Sequence, residues 1–541
     1  MPNRPLTRRD VLKRGLALGS GVLVLAGCSV PERQSTPLAV GSPTTTAPVA
    51  TTPRRGGVVR IGRPGDIVPA GAPFVLTAAN VHLFTLLYDT LVSYDSGPAS
   101  DAPQPRLATR WEWTADARRL TLSLRPGVKF HTGRPLTSDD VKFNLEHLRE
   151  PAVGSQWRAY ANAMHISTPD PLTVVIDYDA PLKSSFDVLA ATFIADPQTL
   201  DQVNSGKGFV GTGPFKFREW LPGDHLTVDR NPDYWQPGKP YLDQVELRIT
   251  PDAQTALVAL ESGALEWMSG VPAQDARRLQ ADPNYQVMLT ASGGTFHYIG
   301  LDLAFPPLAD RRVRQAFNYA LNRQRMVDTA LTGFGRATPI VWPRQSLGYD
   351  AAQDQSYAFD LAKARQLLDA ASWNADTLVP LAYGALVTLS APMAQIYQAD
   401  LASIGVKLDV RAVPNADFFS RLQTAGFNSA WTTTMAFMQL SPATFLSGAF
   451  PVRVPNASHF ESDRYSQLIA LTNADTDDQT LKTHLHELTQ IMLDESFIAP
   501  IAESAAATTG PEVARATVHN AAWNRFGLFA YEDIWLSPPA P

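Results

Sequence analysis

Along the chain, apolar positions switch between a period of two and a period near 3.6, which predicts strands and helices in alternation. "GVVRIGR" reads as a first strand, and "AANVHLFTLLYDTLVSYD" as a helix leading into another. "RRLTLSLRPGVKF" alternates with period two and ends in a Pro-Gly turn. In "PLTSDDVKFNLEHLRE", Thr137 is the expected N-cap and Asp139 and Asp140 fall in the first turn. Val141, Leu145 and Leu148 then recur on one helical face. "PLTVVIDYD" and "LDQVELRIT" read as strands, and "GPFKFREWLPGDHLTVDRN" as a hairpin turning at Pro222-Gly223-Asp224. "DAQTALVALESG" is a helix with Leu257 and Leu260 inward, and "YQVMLTAS" and "FHYIGLDL" are strands parted by Gly293-Gly294.

"DRRVRQAFNYALNRQRMVDTAL" predicts one long amphipathic helix carrying Val313, Phe317 and Leu321. "LAKARQLLDAAS", "APMAQIYQADLASIG", "VKLDVRAV" and "NADFFSRLQTAG" continue the alternation. Two helices, "YSQLIALTN" and "QTLKTHLHELTQIMLDE", precede a strand-rich tail. The pattern is that of a mixed α/β protein with more than one lobe.

The first 55 residues break this pattern. Gly15 to Leu25 is apolar but shorter than the roughly 20 residues a membrane-spanning helix needs. Arg4, Arg8, Arg9, Lys13 and Arg14 precede it against the single acid Asp10, as in an export signal. Arg8-Arg9 before Asp10-Val11-Leu12-Lys13 resembles the twin-arginine motif, and Leu25-Ala26-Gly27-Cys28 resembles the bacterial lipobox. Cys28 is the only cysteine, so it has no intrachain disulfide partner. It is expected to carry a lipid that anchors the mature chain, after removal of residues 1–27. Residues 28–55, rich in Pro, Thr, Ser and Ala, read as a flexible tether.

Residues 1–27 carry a net charge of +4, so the formal charge of −6 becomes −10 in the mature chain. An acidic exported body argues against nucleic acid as a partner. The remaining stretch of about 480 residues exceeds what one core usually covers and predicts two or three lobes.

Motifs that bring catalysis with them are missing. There is no GxSxG elbow, HExxH or Walker A, and "GTGPFKF" lacks the glycines of a dinucleotide loop. His484 and His486 are two apart and face different ways on a helix. Asp475, Asp477 and Asp478 lack the Gly and Glu of a calcium loop. No metal, no cofactor and no enzymatic activity are expected.

Several stretches together resemble the family 5 solute-binding proteins of ABC importers, the peptide/nickel-binding group. They are "LYDTLVSYDS", "LATRWEWTADARRLTLSLRPGVKFHTGRPLTSDDVKFNLEHL", "GTGPFKFREWLPGDHLTVDRNPDYW", "KPYLDQVELRI", "DRRVRQAFNYALNRQRMV" and "FDLAKARQLLDAA", running in order from about Gly57 to about Pro500. Their residues read as structural: Gly211 and Gly213 suit a tight strand entry, and Asn231-Pro232 a turn. The resemblance implies an α/β, periplasmic-binding-protein-like type II (class C) two-lobed clam with an additional small inserted domain. Lobe I would comprise residues 56–94, 206–295 and 500–541, lobe II residues 95–205, and lobe III residues 296–499. Ligand would be captured between lobes I and III by hinge closure and passed to ABC permease subunits. The resemblance, together with the N-terminal motifs, thus implies a lipid-anchored extracytoplasmic receptor, expected as a monomer.

Two departures bear on the ligand. Peptide-binding members carry an acidic motif of the type "ADYPDPDNF", whereas this chain has "WTTTMAFMQLSPATFLSG", without a carboxylate. Dipeptide binders place an Arg in a turn where this chain has "LAYGALVTLSAP", and no basic residue lies between Asn374 and Met393. The resemblance implies ligand contacts at Leu76, Thr77, Trp157, His297, neighbouring Tyr298, Tyr383, Trp431, Phe437, Met438 and Gln439. A peptide-class or largely neutral ligand is expected, with oligosaccharides as the alternative within the family and a tethered hydrolase as the alternative outside it.

Overall fold

The alternation in "VVRIGR" buries Val59 and Ile61 completely, and strand Val58–Arg63 becomes the centre of a seven-stranded sheet. This is seen in a computed structural model that describes residues 52–69, 72–75, 80–94, 103–182, 184–289, 295–384, 389–436, 441–475, 477–504, 510–522 and 528–538. The expected signal with Arg8 and Arg9, the anchor Cys28 and nearly all of the tether lie outside the described residues. Among the described residues no helix is long and apolar enough to cross a membrane.

Val58–Arg63 pairs in parallel with Gln244–Ile249 and Trp267–Met268. Antiparallel strands His225–Arg230 and Phe215–Leu221 extend one side, and Glu512–Arg515 and Tyr285–Met288 the other. A four-stranded antiparallel sheet, Ala108–Trp113, Arg119–Leu124, Thr173–Asp177 and His165–Asp170, shares one hydrophobic core with it. Helix Ser138–His147 begins as its sequence predicts: Thr137 precedes it, and the Asp140 carboxylate accepts the Thr137 N–H at 2.9 Å.

A six-stranded sheet has the order Gly335–Ala337, Ile498–Ser504, Thr295–Leu301, Ala430–Ala436, Leu378–Gly384, Lys407–Val413. Side chains alternate across it. Phe296, Tyr298 and Trp431 enter one core with Phe445, Leu446 and Tyr465. Ile299, Leu301 and Leu381 enter another with Phe317, Met393 and Tyr397.

The long helix expected over residues 310–331 is instead two, Arg311–Tyr319 and Arg323–Thr329. Asn322 causes the break: its side chain accepts the Arg325 N–H at 3.1 Å and so starts a new helix. The released Arg323 side chain then reaches the carbonyls of Pro500 and Tyr357 at 2.8 and 2.9 Å. Gly211 and Gly213 also do more than admit a strand. A Cβ there would lie 2.2 and 2.4 Å from the Leu87 backbone, so close backbone approach demands glycine at both.

That approach positions a buried hub. The fully buried Asp89 accepts from Thr212 Oγ1 at 3.1 Å, Tyr234 OH at 3.1 Å and Trp235 Nε1 at 2.8 Å, and pairs with Arg106. Arg106 also pairs with Glu532 at 2.7 Å. Three separate stretches of the diagnostic sequence, around residues 89, 106 and 212–235, are thereby tied together.

Candidate functional site

The core beneath the seven- and four-stranded sheets and the core that holds Phe445 meet at a polar seam. On one side is helix Ser185–Ala191, whose Val188 and Leu189 anchor it in the first core. On the other is helix Pro442–Gly448, anchored by Phe445 and Leu446 in the second. Asp187 Oδ2 accepts the Ser441 N–H at 3.0 Å, the Ser441 hydroxyl at 2.5 Å and the Thr444 hydroxyl. Tyr160, from helix Arg158–Asn162, adds a hydroxyl donated to the Thr444 carbonyl at 3.3 Å. Burial, and secondarily the Asp187 charge, raises the Tyr160 pKa well above its ordinary value and keeps it a donor.

Among the described residues, buried polar atoms without a hydrogen-bond partner are spread along the chain, and some belong to this seam. They include Asp187 Oδ1, Ser184 Oγ and Trp157 Nε1, with His297 Nδ1 and Ser390 Oγ in the second half. Polar groups buried in this state are costly, and native proteins keep few of them away from functional sites.

Of the expected contact residues, Leu76, Thr77, Phe437, Met438 and Gln439 lie outside the described residues. Trp157 is 3% exposed and packs edge-on to Tyr160, with ring centroids 6.0 Å apart, which places it beside the seam. His297 pairs with Thr434 and Ala502, near the end of the six-stranded sheet from which the connections 385–388 and 437–440 leave. Burial pushes its imidazole down to about 4, so it is neutral at physiological pH. By alternation with Ile299 and Leu381, His297 and the half-buried Tyr383 share one face of that sheet. Tyr298 and Trp431 face the opposite core. Trp431 is fully buried, stacked on Phe427 at 4.6 Å, and its ring fills the space above Gly300, where a Cβ would lie 2.2 Å away. The structure therefore places Trp431 as a core residue, unlike the expected cleft contact, because a glycine on the neighbouring strand opens a slot for the indole.

At the carboxyl ends of the parallel strands of the first sheet lies a second buried constellation, which the sequence reading did not single out. Ser269 Oγ donates to Glu512 Oε2 at 2.8 Å, and Trp267 Nε1 donates to the same oxygen at 2.5 Å. His82 Nε2 is 3.0 Å from Ser269 Oγ, and its Nδ1 meets the Tyr531 hydroxyl. Because Ser269 gives its proton to Glu512, His82 Nε2 must donate to Ser269. That polarity is the reverse of a nucleophile–base pair. Burial pushes Glu512 up to about 7 and His82 down, so both tend toward neutrality. His484 and His486 likewise have separate partners, Asp475 at 2.8 Å and Asp350 at 3.5 Å, and the described residues hold no cluster fit for a metal ion.

A two-lobed α/β body with this polar seam defines a binding protein of the periplasmic type II class. The chain matches the family of bacterial extracellular solute-binding proteins, family 5, over residues 102–452, and it belongs to that family. It is 29% identical over 412 residues to the glutathione-binding protein GsiB of Escherichia coli K12, covering 73% of this chain and 79% of that protein. The structure of HbpA2 from Haemophilus parasuis is similar, with a TM-score of 0.77, 25% identity, and coverage of 89% of this chain and 100% of that one. The oligopeptide-binding protein AppA of Bacillus subtilis, solved with a nonapeptide, shares the fold with a TM-score of 0.70, 20% identity, and coverage of 90% and 100%. These relatives are solute-binding receptors rather than enzymes. The protein is accordingly an extracytoplasmic solute-binding protein of the ABC-transporter type.

Proposed function

We propose that the mature chain, anchored by lipid on Cys28, captures a peptide-class, largely neutral or apolar ligand and delivers it to the permease of an ABC importer. Capture uses a cleft between lobe I (residues 56–94, 206–295 and 500–541) and lobe III (residues 296–499), with lobe II (residues 95–205) inserted in lobe I. The observation that carries the ligand class is one of charge. Residues 431–448 contain no carboxylate, and residues 374–393 contain no base. Burying a free dipeptide, with both charges close together, is costly without a partner for each. A longer or blocked peptide, held through its backbone by groups such as Trp157, His297 and Tyr383, avoids that cost. The relative named for glutathione binding supports a peptide class.

A thermal-shift screen of the mature chain across free dipeptides, oligopeptides, oligosaccharides and metal chelates tests this. Stabilisation by oligopeptides over free dipeptides is expected. Stabilisation by ordinary free dipeptides, abolished on altering Phe437 or Gln439, overturns it.

A further inference from the structure

The chain passes between the seven- and six-stranded sheets twice, through residues 289–294 and 505–511, and neither stretch contains an aromatic or charged residue. The crossings leave the sheets side by side: Thr295 pairs with Ser504 at one end, and Met288 with Glu512 at the other. Gly335 pairs with Ser504 in the same row, so the residue before it stands where both crossings leave the six-stranded sheet. That residue is Phe334. Leu331, three positions earlier, is buried in a core of the second half with Met326 and Ile501. Phe334 turns the opposite way. It is 4% exposed in a separate small core with Leu257, Leu260, Met268, Leu279 and Val513. Among the described residues, the other members of that core come from 253–289 and from Val513, all in the half of the seven-stranded sheet.

The turn is built to deliver the ring. Thr332 and Gly333 both have positive φ, 49° and 78°, which bends the backbone sharply. Arg277 Nε, from helix Ala273–Gln280, donates to the Thr332 carbonyl at 2.6 Å, and its guanidinium lies 4.9 Å from the centre of the Phe334 ring. A Cβ on Gly333 would fall 1.6 Å from that guanidinium, so glycine is needed for the arginine to close over the ring. We propose that Phe334 is a pivot: a ring seated in a socket of the other half, on which the halves turn as the cleft opens and closes. Contacts between an aromatic ring and an aliphatic socket are non-directional, so they survive a rotation that would break angle-dependent hydrogen bonds. Rotation about a hinge moves atoms least beside the crossings, where Phe334 sits. Phe334 and Arg277 are thus positioning residues for capture. From the proposed function this inference takes only that the halves move, and it does not depend on the class of ligand.

The test is the distribution of distances between spin labels on the two halves, measured without ligand so that failure of the pivot and failure of the capture reading show separately. The full chain carries Cys28→Ala, which removes its only cysteine, with Ala115→Cys and Ala375→Cys in exposed turns of the two halves. With Phe334 intact a narrow distribution is expected. Phe334→Ala should lose it, and Phe334→Leu, which refills most of the socket, should restore it. No difference in width between Phe334→Ala and its parent overturns the pivot. So does a Phe334→Leu chain as broad as Phe334→Ala. Where Phe334→Ala fails to fold, Arg277→Ala decides, because Arg277 is exposed and its loss leaves both cores filled. Broadening then supports the pivot, and an unchanged width overturns it.

Discussion

Asp187 and Ser441 stand 254 positions apart, yet the Ser441 N–H donates to Asp187 Oδ2 at 3.0 Å and so ties two separately packed hydrophobic cores together. The tie is multivalent, since the hydroxyls of Ser441 and Thr444 share the same oxygen. It gives the two halves a defined contact that does not require ligand.

Removing the acceptor should loosen this contact. Asp187→Ala leaves three donors seeking water, and each buried donor left unpaired costs roughly 1–3 kcal/mol. The ligand-free protein is then expected to populate a more open arrangement, seen as a larger radius of gyration in small-angle scattering. An unchanged radius would mean that the tie does not hold the halves together.

Glu512 makes stability depend on pH in a direction opposite to that of most carboxylates. Its folded-state pKa is raised to about 7 from an ordinary 4.5, with burial as the largest cause and its bonds to Ser269 and Trp267 opposing. Between those values the unfolded chain has lost a proton that the folded chain keeps. The advantage of the protonated carboxyl is therefore fully present below about 4.5 and lost as pH rises through 7. His82 acts in the other direction, because its lowered pKa favours unfolding as pH falls below 6.5. Glu512→Gln isolates the carboxyl. Relative to wild type, urea unfolding should show the variant more stable at pH 8 than at pH 5, by up to roughly 3 kcal/mol. The same difference at both pH values contradicts the shift.

The N-terminal reading has its own test. Fractionation of cells carrying Cys28→Ala should find the protein released from the membrane, with Arg8→Lys and Arg9→Lys together trapping precursor inside. Unchanged membrane retention of Cys28→Ala would exclude lipid anchoring at this residue.

What could be read from the sequence was what is local. Helix Ser138–His147 announces itself through Thr137, Asp140 and the spacing of Val141 and Leu145, and the structure contains it with its capping carboxylate in place. The helix break at Asn322 was hidden because the apolar spacing of Val313, Phe317 and Leu321 continues across it, while the cap is a single side-chain hydrogen bond. Trp431 was read as a cleft residue because it stands at the head of loop 437–440. Its burial depends on Gly300, 131 positions earlier and adjacent only through strand register. The diagnostic stretches carried the family, but their physical sense, convergence on Asp89, is a tertiary fact. Asp187 gave one available signal, a lone acid within the apolar run "SSFDVLAATF". Nothing local says whether such an acid faces water or a partner 254 residues away.

Capture of a ligand by closure of two lobes predicts a change of shape on binding. Small-angle scattering of the purified mature chain, with and without an oligopeptide that stabilises it in the thermal screen, tests this most directly. The bound form is expected to have the smaller radius of gyration, because ligand favours the closed cleft. Identical scattering profiles at saturating ligand would contradict it.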